Sequence, residues 1–278
     1  SKSEILKEPL SDFRKSIALF VLAAIISVWV GIGVGNSLIG KAVEKLKEIE
    51  SLKRDFISLA SHQIRTPVTA IKWFTEILLS RSSGSLTKKQ EDILKDTHLS
   101  TKRMIDLIGT LLNISKLESK KLPTNPQPIS LAFLVKDISN EVKADFKNKK
   151  IKLETKIAKN LPSKISVDPK LIRQVFLNLI HNAFKYSHPG GIVGVEMLRQ
   201  KGHLLVKITD WGIGIPQKEG GVLFQKFSRA SNARLKDTEG AGLGLYLAKL
   251  AVEAHGGKIG LLKSNTQGAS IYFTIPLT

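Results

Sequence analysis

The sequence predicts an α-helical first part, a transmembrane helix leading into a helical hairpin, followed by an α+β domain built as a two-layer α/β sandwich. Three observations predict it. Residues 16–40 contain no Asp, Glu, Lys or Arg. Residues 41–117 carry apolar side chains at three- and four-residue spacing, interrupted by one turn. Beyond Pro123, Pro126 and Pro128 the pattern changes to short alternating strands mixed with helices.

Residues 1–15 form an N-terminal segment ahead of the apolar run. At about 1.5 Å per residue, a helix over 16–40 is long enough to cross a ~30 Å hydrocarbon layer. A buried core helix is the alternative for such a run. Signal-peptide apolar regions are shorter, and no A-x-A cleavage pattern follows. Flanking charge gives a near-tie for orientation, with Lys2, Lys7, Arg14 and Lys15 before the span and Lys41, Lys45, Lys47, Lys53 and Arg54 after it.

Residues 41–55 continue as a linker helix. Ala42, Leu46, Ile49, Phe56, Ala60 and Gln63 make a seam at 3-4 spacing, flanked by Leu52 and Leu59. A coiled coil fits this pattern, and so does a monomeric amphipathic helix. The hairpin is expected over 56–120. Pro67 is expected to break or bend its first helix, and Val68, Ile71, Trp73, Phe74, Ile77 and Leu78 resume the pattern. Residues 81–85 read as a turn, and Thr87 with Gln90 as a capping box. Ile93, Leu94, Met104, Ile105, Ile108, Leu111, Leu112 and Leu117 line the second helix. One hairpin buries such a stripe poorly and two make a four-helix bundle, so a homodimer is expected. A linker over 121–128 leads to the last domain, 129–278. There, strands are expected near 150–157, 192–197, 204–209, 258–262 and 270–275, and helices over 168–186 and 243–255.

The chain of 278 residues has a formal net charge of +19, which points to an anionic partner such as lipid, nucleotide, nucleic acid or an acidic protein. No nucleic-acid-binding motif occurs, so nucleic acid is not expected. The absence of cysteine excludes disulfides, zinc–thiolate sites and a cysteine nucleophile. No Walker A pattern, HExxH cluster or dinucleotide-binding βαβ signature occurs.

Four motifs carry chemistry. SHQIRTP, at 61–67, places His62, a nitrogen nucleophile, on a helix with Thr66 one turn later. In 168–187, Asn178, Asn182 and Lys185 occupy neighbouring turns of one helix, followed by Tyr186. An Asn carbonyl is a neutral oxygen ligand suited to Mg²⁺, and Lys185 a counter-charge for phosphate. DWGIGIP follows a strand, with Asp210 as an acceptor and Gly212 and Gly214 permitting close backbone approach. Gly240, Gly242, Leu243 and Gly244 open a helix whose free N–H groups suit phosphate oxygens. Between the glycine motifs, LFQKFSR contributes Phe224, Phe227 and Arg229, inside a polar stretch, 217–238, that reads as a lid.

Together and in this order, the motifs resemble those of bacterial sensor histidine kinases of two-component systems, over about Lys53 to Thr278. The resemblance implies a HisKA phosphoacceptor hairpin and a GHKL (Bergerat) type ATPase domain, with ATP and Mg²⁺ as cofactors. It implies autophosphorylation of His62 and transfer to an aspartate on the receiver domain of a response regulator. It assigns Mg²⁺ to Asn182, adenine to Asp210, and nucleotide contacts to Asn178, Lys185, Tyr186, Gly212, Gly214, Phe227, Arg229, Gly240, Gly242, Leu243 and Gly244. Gly268, Ala269 and Ser270 match the last glycine box.

The family usually carries an acidic residue after the histidine, where this chain has Gln63. Gln63 can orient the ring without stabilising an imidazolium as a carboxylate would. Thr66 stands where the family holds the water that attacks a regulator's phosphoaspartate, so a regulator phosphatase with weak kinase activity is the alternative function. The resemblance places the protein in the bacterial inner membrane, bound to lipid, with its catalytic part in the cytoplasm. Only about 15 residues precede the span, so either upstream sequence is missing or sensing occurs through the span itself, and the end after the last strand leads us to expect a separate regulator protein.

Overall fold

A computed structural model describes residues 7–80, 84–118, 124–145, 147–236, 240–262 and 268–277. The turn expected at 81–85 lies largely outside the described residues, as do many side chains of 16–40. The chain divides into two compact units, 1–56 and 57–278.

The first unit is helical and belongs to helix α1, Lys7–Leu79. Among the described residues, no helix is long and apolar enough to cross a membrane. Phe20, Trp29, Ile32, Leu38 and Ile39 are nonetheless exposed apolar side chains here.

The second unit begins with the hairpin of α1 and α2, Lys88–Glu118. Pro67 does not end α1. A proline without an N–H leaves the Gln63 carbonyl without its intrahelical donor, but the helix continues on both sides. The capping box at the start of α2 is formed: the Thr87 N–H donates to Gln90 Oε1 at 2.9 Å and the Gln90 N–H to Thr87 Oγ1 at 3.3 Å. Ser61, Val68 and Thr75 are buried on α1 at seven-residue spacing, and Thr101, Ile108 and Ser115 repeat that spacing on α2. Thr75 Oγ1 donates to the Lys72 carbonyl, so His98 Nδ1, 3.2 Å away, donates to the threonine oxygen. Counting back from this contact in an antiparallel pair puts His62 level with Leu111. The larger apolar side chains stay outside this seam, with Trp73 67% and Phe74 62% exposed.

The last domain is built on a five-stranded sheet whose strands lie in the order Lys152–Ile157, Ile192–Gln200, His203–Asp210, Ser270–Pro276, Ile259–Leu262. Its strands are β2 (Lys152–Ile157), β4 (Ile192–Gln200), β5 (His203–Asp210), β6 (Ile259–Leu262) and β7 (Ser270–Pro276). Strands β2 and β4 are parallel, and the other pairs are antiparallel. A two-stranded sheet of β1 (Gln127–Ile129) and β3 (Ile165–Val167) stands beside it. Three helices complete the core: α3 (Leu131–Asp145), α4 (Pro169–Tyr186) and α6 (Gly244–Ala254), while the short α5 (Ser231–Lys236) lies in the lid. The strands and helices expected from the pattern are present within a few residues; β1, β3, α3 and α5 are additions to that reading.

Helix α4 organises the core. Ile172, Val175, Phe176, Leu179, Ile180, Ala183 and Phe184 recur at three- and four-residue spacing and are buried against Val193, Val195, Val206, Ile208 and Phe273. Phe176 and Phe273 meet edge to face with centroids 5.3 Å apart. This is the two-layer α/β sandwich the sequence predicts.

Asp168 caps α4, accepting from the N–H groups of Lys170 and Leu171 at 3.0 and 3.1 Å, and its other oxygen accepts from Asn125 N–H at 3.0 Å. The Asp168 N–H donates to His255 Nε2 at 3.0 Å, tying the start of α4 to the end of α6. Burial pushes the Asp168 carboxyl up, but the Asn125, Leu171 and Lys170 N–H groups, with His255 nearby, hold it below the usual carboxylate range. A depressed carboxylate stabilises the fold above its unfolded pKa of about 3.9, and that stabilisation is lost as pH falls through the folded value. Asp168→Ala should therefore cost about 1–2 kcal/mol at neutral pH in urea unfolding. The gap to wild type should narrow as pH falls below about 4.

Candidate functional site

The end of α4 is where the site begins. The ammonium of Lys149 donates to the last carbonyls of this helix, Phe184 O at 3.2 Å and Lys185 O at 2.5 Å, where a cation also suits the helix dipole. The carbonyl of Tyr186 accepts from Ile213 N–H at 3.3 Å, and Ser187 bridges to Gly212. The loop 210–216 is thus stitched directly onto the helix terminus. A Cβ at residue 212 would sit 2.1 Å from the Tyr186 carbonyl oxygen, so only glycine allows this approach.

Asp210 ends β5 beside this contact. Its Oδ1 accepts from Gly212 N–H at 3.0 Å and Ala269 N–H at 3.3 Å. The amide of Asn232, on α5, donates to the carbonyls of Ile213 and Gly214 at 3.1 and 3.0 Å, fixing the loop from the lid side. The lid has structure of its own: Glu219 accepts from Ser231 Oγ at 2.6 Å and Ser231 N–H at 2.8 Å. These donors hold the Glu219 carboxyl below its usual range. Leu223, Phe224, Ala230 and Ala233 form a small apolar cluster beneath it.

Helix α6 supplies the opposite wall. Leu243 is its N-cap and offers no capping side chain, so the first-turn N–H groups point outward. Asn178 Nδ2 donates to Gly244 O at 3.1 Å, and its own oxygen accepts from Gln174 at 3.2 Å, which binds α4 to the start of α6.

These elements enclose an open cleft of about 200 Å³. Of the residues that the resemblance assigns to the nucleotide, Asn182, Lys185, Tyr186, Asp210, Gly214, Arg229, Gly240, Gly242 and Gly244 line it. The other four lie beside it. Asn178 holds α6, Gly212 contacts the end of α4, Leu243 is buried in the core, and Phe227 is 63% exposed. Two residues that the sequence did not mark, Lys149 and Asn232, fix the backbone around the cleft. Their partners lie 18 to 36 residues away in sequence, beyond any local pattern.

His62 lies on α1 with its side chain exposed, as do Gln63 and Thr66. The Thr66 hydroxyl donates to the His62 carbonyl at 3.4 Å. Among the described residues, no group of three or more His, Cys, Asp or Glu side chains could hold a metal ion. Asn182 fits a cation whose other ligands are phosphate oxygens and water.

Residues 52–120 match the His Kinase A (phospho-acceptor) domain, and residues 167–278 match the histidine kinase-, DNA gyrase B-, and HSP90-like ATPase domain. The circadian input-output histidine kinase CikA of Synechococcus elongatus is 33% identical over 227 residues, covering 81% of this chain and 30% of CikA. The sensor histidine kinase WalK of Bacillus subtilis is 33% identical over 241 residues, covering 84% of this chain and 38% of WalK. The sensor protein GacS of Pseudomonas syringae is 30% identical over 250 residues, covering 88% and 27%. The chain therefore spans less than half the length of each of these relatives. Full-length ShkA, solved in complex with AMPPNP, shares the fold at a TM-score of 0.69 and 23% identity, over 81% of this chain and 46% of that one. The Acinetobacter baumannii histidine kinase AdeS shares it at 0.56 and 20% identity, over 78% and 98%.

The contact at residue 212 leaves no room for a side chain. Gly212→Ala should weaken binding of a fluorescent ATP analogue about tenfold or more, because the new methyl group displaces the loop from α4. Isothermal titration or fluorescence anisotropy measures this.

Proposed function

The chain belongs to the sensor histidine kinases of two-component systems, and on that basis we propose that it phosphorylates His62 with ATP and passes the phosphoryl group to a response regulator aspartate. The observation that carries this reading is the convergence of Asn182, Lys185, Asp210 and the glycines opening α6 on one cleft in a chain whose hairpin presents an exposed His62. A ring nitrogen of His62 attacks the γ-phosphorus, the bond to the β,γ-bridging oxygen breaks, and ADP leaves with that oxygen. The imidazole then loses its remaining proton to water or a nearby acceptor. Lys185 and the α6 N–H groups bind phosphate oxygens, Asp210 takes the adenine amine, and Tyr186 flanks the base. Asn178, Gly212 and Leu243 shape the walls, and Phe227 and Arg229 belong to the lid. Asn182 would hold Mg²⁺, which neutralises charge on the triphosphate when bound.

The organisation that supports this activity is a span over 16–40, a signalling helix over 41–55, a dimerisation hairpin over 56–120, a linker over 121–128 and a catalytic domain from 129 onward. The uncharged run and its exposed Phe20, Trp29 and Ile32 favour a lipid-facing helix. In this reading the protein sits in a bacterial inner membrane with the catalytic part in the cytoplasm. Exposed Trp73, Phe74, Ile77 and Leu78 favour a homodimer, since a second hairpin would cover them. Nucleic acid has no place in this reading.

Gln63 supports a second reading, a regulator phosphatase with weak kinase activity. A neutral amide orients the ring but leaves a developing imidazolium without a neighbouring carboxylate.

Incubation with γ-labelled ATP and Mg²⁺ should give acid-labile, base-stable label that disappears in His62→Ala. Label surviving that substitution contradicts the kinase reading. Gln63→Glu should raise autophosphorylation about twofold or more; a smaller change removes the basis of the phosphatase reading.

A further inference from the structure

Glu118, the last residue of α2, is grasped by two parts of the catalytic domain. Lys226 Nζ, on the lid between Phe224 and Phe227, lies 2.6 and 2.8 Å from its two carboxylate oxygens. The hydroxyl of Tyr246, in the first turn of α6, donates to the same carboxylate. The Lys226 ammonium also lies 5.5 Å from the Tyr246 ring centroid. Burial and the Glu118 carboxylate push the Tyr246 phenol up, which keeps it a donor at any physiological pH. Below this cluster, Ile114 and Leu117 of α2 join the core that contains Leu243 and Leu247. The hairpin end therefore contacts the catalytic domain through both an apolar footing and a three-membered polar cluster.

The lid backbone beside the cluster is strained. Phe227 has φ +59, a left-handed conformation that a bulky residue adopts at a cost, and its ring is exposed. On its far side Gly242 packs so closely that a Cβ there would be 2.8 Å from Phe227 C. The strained residue is thus bracketed by the Lys226–Glu118 pair and by the glycine motif of the cleft.

We propose that Glu118 is a positioning residue that latches the catalytic domain to the end of the hairpin in a resting state, and that phosphotransfer requires its release. Glu118 is seven residues past Leu111, the residue level with His62, or about 10 Å along the helix. In the latched arrangement the His62 side chain is exposed. The two elements Glu118 holds, the lid and the start of α6, also line the cleft through Ser228, Arg229 and Gly244. The latch rests on the proposed nucleotide site, because the lid residues after Lys226 and the start of α6 border the cleft.

The test uses the full chain in detergent or vesicles, with Glu118→Lys, the milder Glu118→Gln, and the swap of Glu118→Lys with Lys226→Glu. Glu118→Lys should raise kcat for autophosphorylation about fivefold, with KM for ATP changed less than about twofold, and the swap should return kcat toward wild type. Glu118→Gln should give a smaller rise in the same direction. Hydrogen exchange of residues 223–229 and 244–250 should quicken in both single variants and slow again in the swap, whether or not label is incorporated. Wild-type protein that takes up no label would count against the kinase function, and the exchange data would still decide on the latch. A lower or unchanged kcat in Glu118→Lys in labelling protein, unchanged exchange, or a swap that restores neither would overturn the proposal.

Discussion

The contact between Gly212 and the carbonyl of Tyr186 is the constraint on which the cleft depends. It fixes the loop 210–216 to the end of a helix that is itself held in the core by Phe176, Leu179, Ile180 and Phe184. Core packing is close and resists small displacements, so a loop anchored to such a helix inherits its rigidity. Lys149 adds a cation to the same terminus, and Asn232 secures the loop from the lid. Asp210, Lys185 and Tyr186 are thereby brought to one cleft without belonging to one element. The opposite wall follows from Asn178, which couples α4 to the start of α6. Preorganisation of this kind is what a charged, flexible ligand such as a nucleotide needs from a binding site.

The hairpin obeys a different physics. Its interior seam consists mainly of small or polar residues, Ser61, Val68, Thr75, Thr101 and Ser115, which let the two helices approach but bury little apolar area. The large side chains face outward and await a second hairpin. In the proposed homodimer, stability of the phosphoacceptor region and assembly are one equilibrium. The last domain has a large apolar core, to which the hairpin adds only Ile114 and Leu117.

Much of this was legible in the sequence where the cause is local. Thr87 and Gln90 announce a capping box, and it forms. The helix expected over 168–186 forms, with Asp168 as its cap. The order of the motifs identifies the family. Legibility ends where the cause is distant. Leu131, Val135, Ile138 and Val142 have helical spacing, yet their place against α4 comes only from the fold. Pro67 breaks helices by local rule, and the surrounding helix overrides it. Phe227 looks like a cleft residue by motif, but its left-handed backbone turns it toward solvent. Lys149, Asn232 and the Glu118 cluster carry no local signal, since their partners are set by tertiary contact.

The central claim is that one nucleotide cleft forms where the end of α4, the loop 210–216 and the start of α6 meet. Hydrogen exchange with and without a non-hydrolysable ATP analogue and Mg²⁺ tests it most directly. The account predicts slowed exchange in residues 182–187, 210–216 and 240–247, with β2 and α3 unchanged. Protection centred elsewhere, or none at saturating nucleotide, would contradict it.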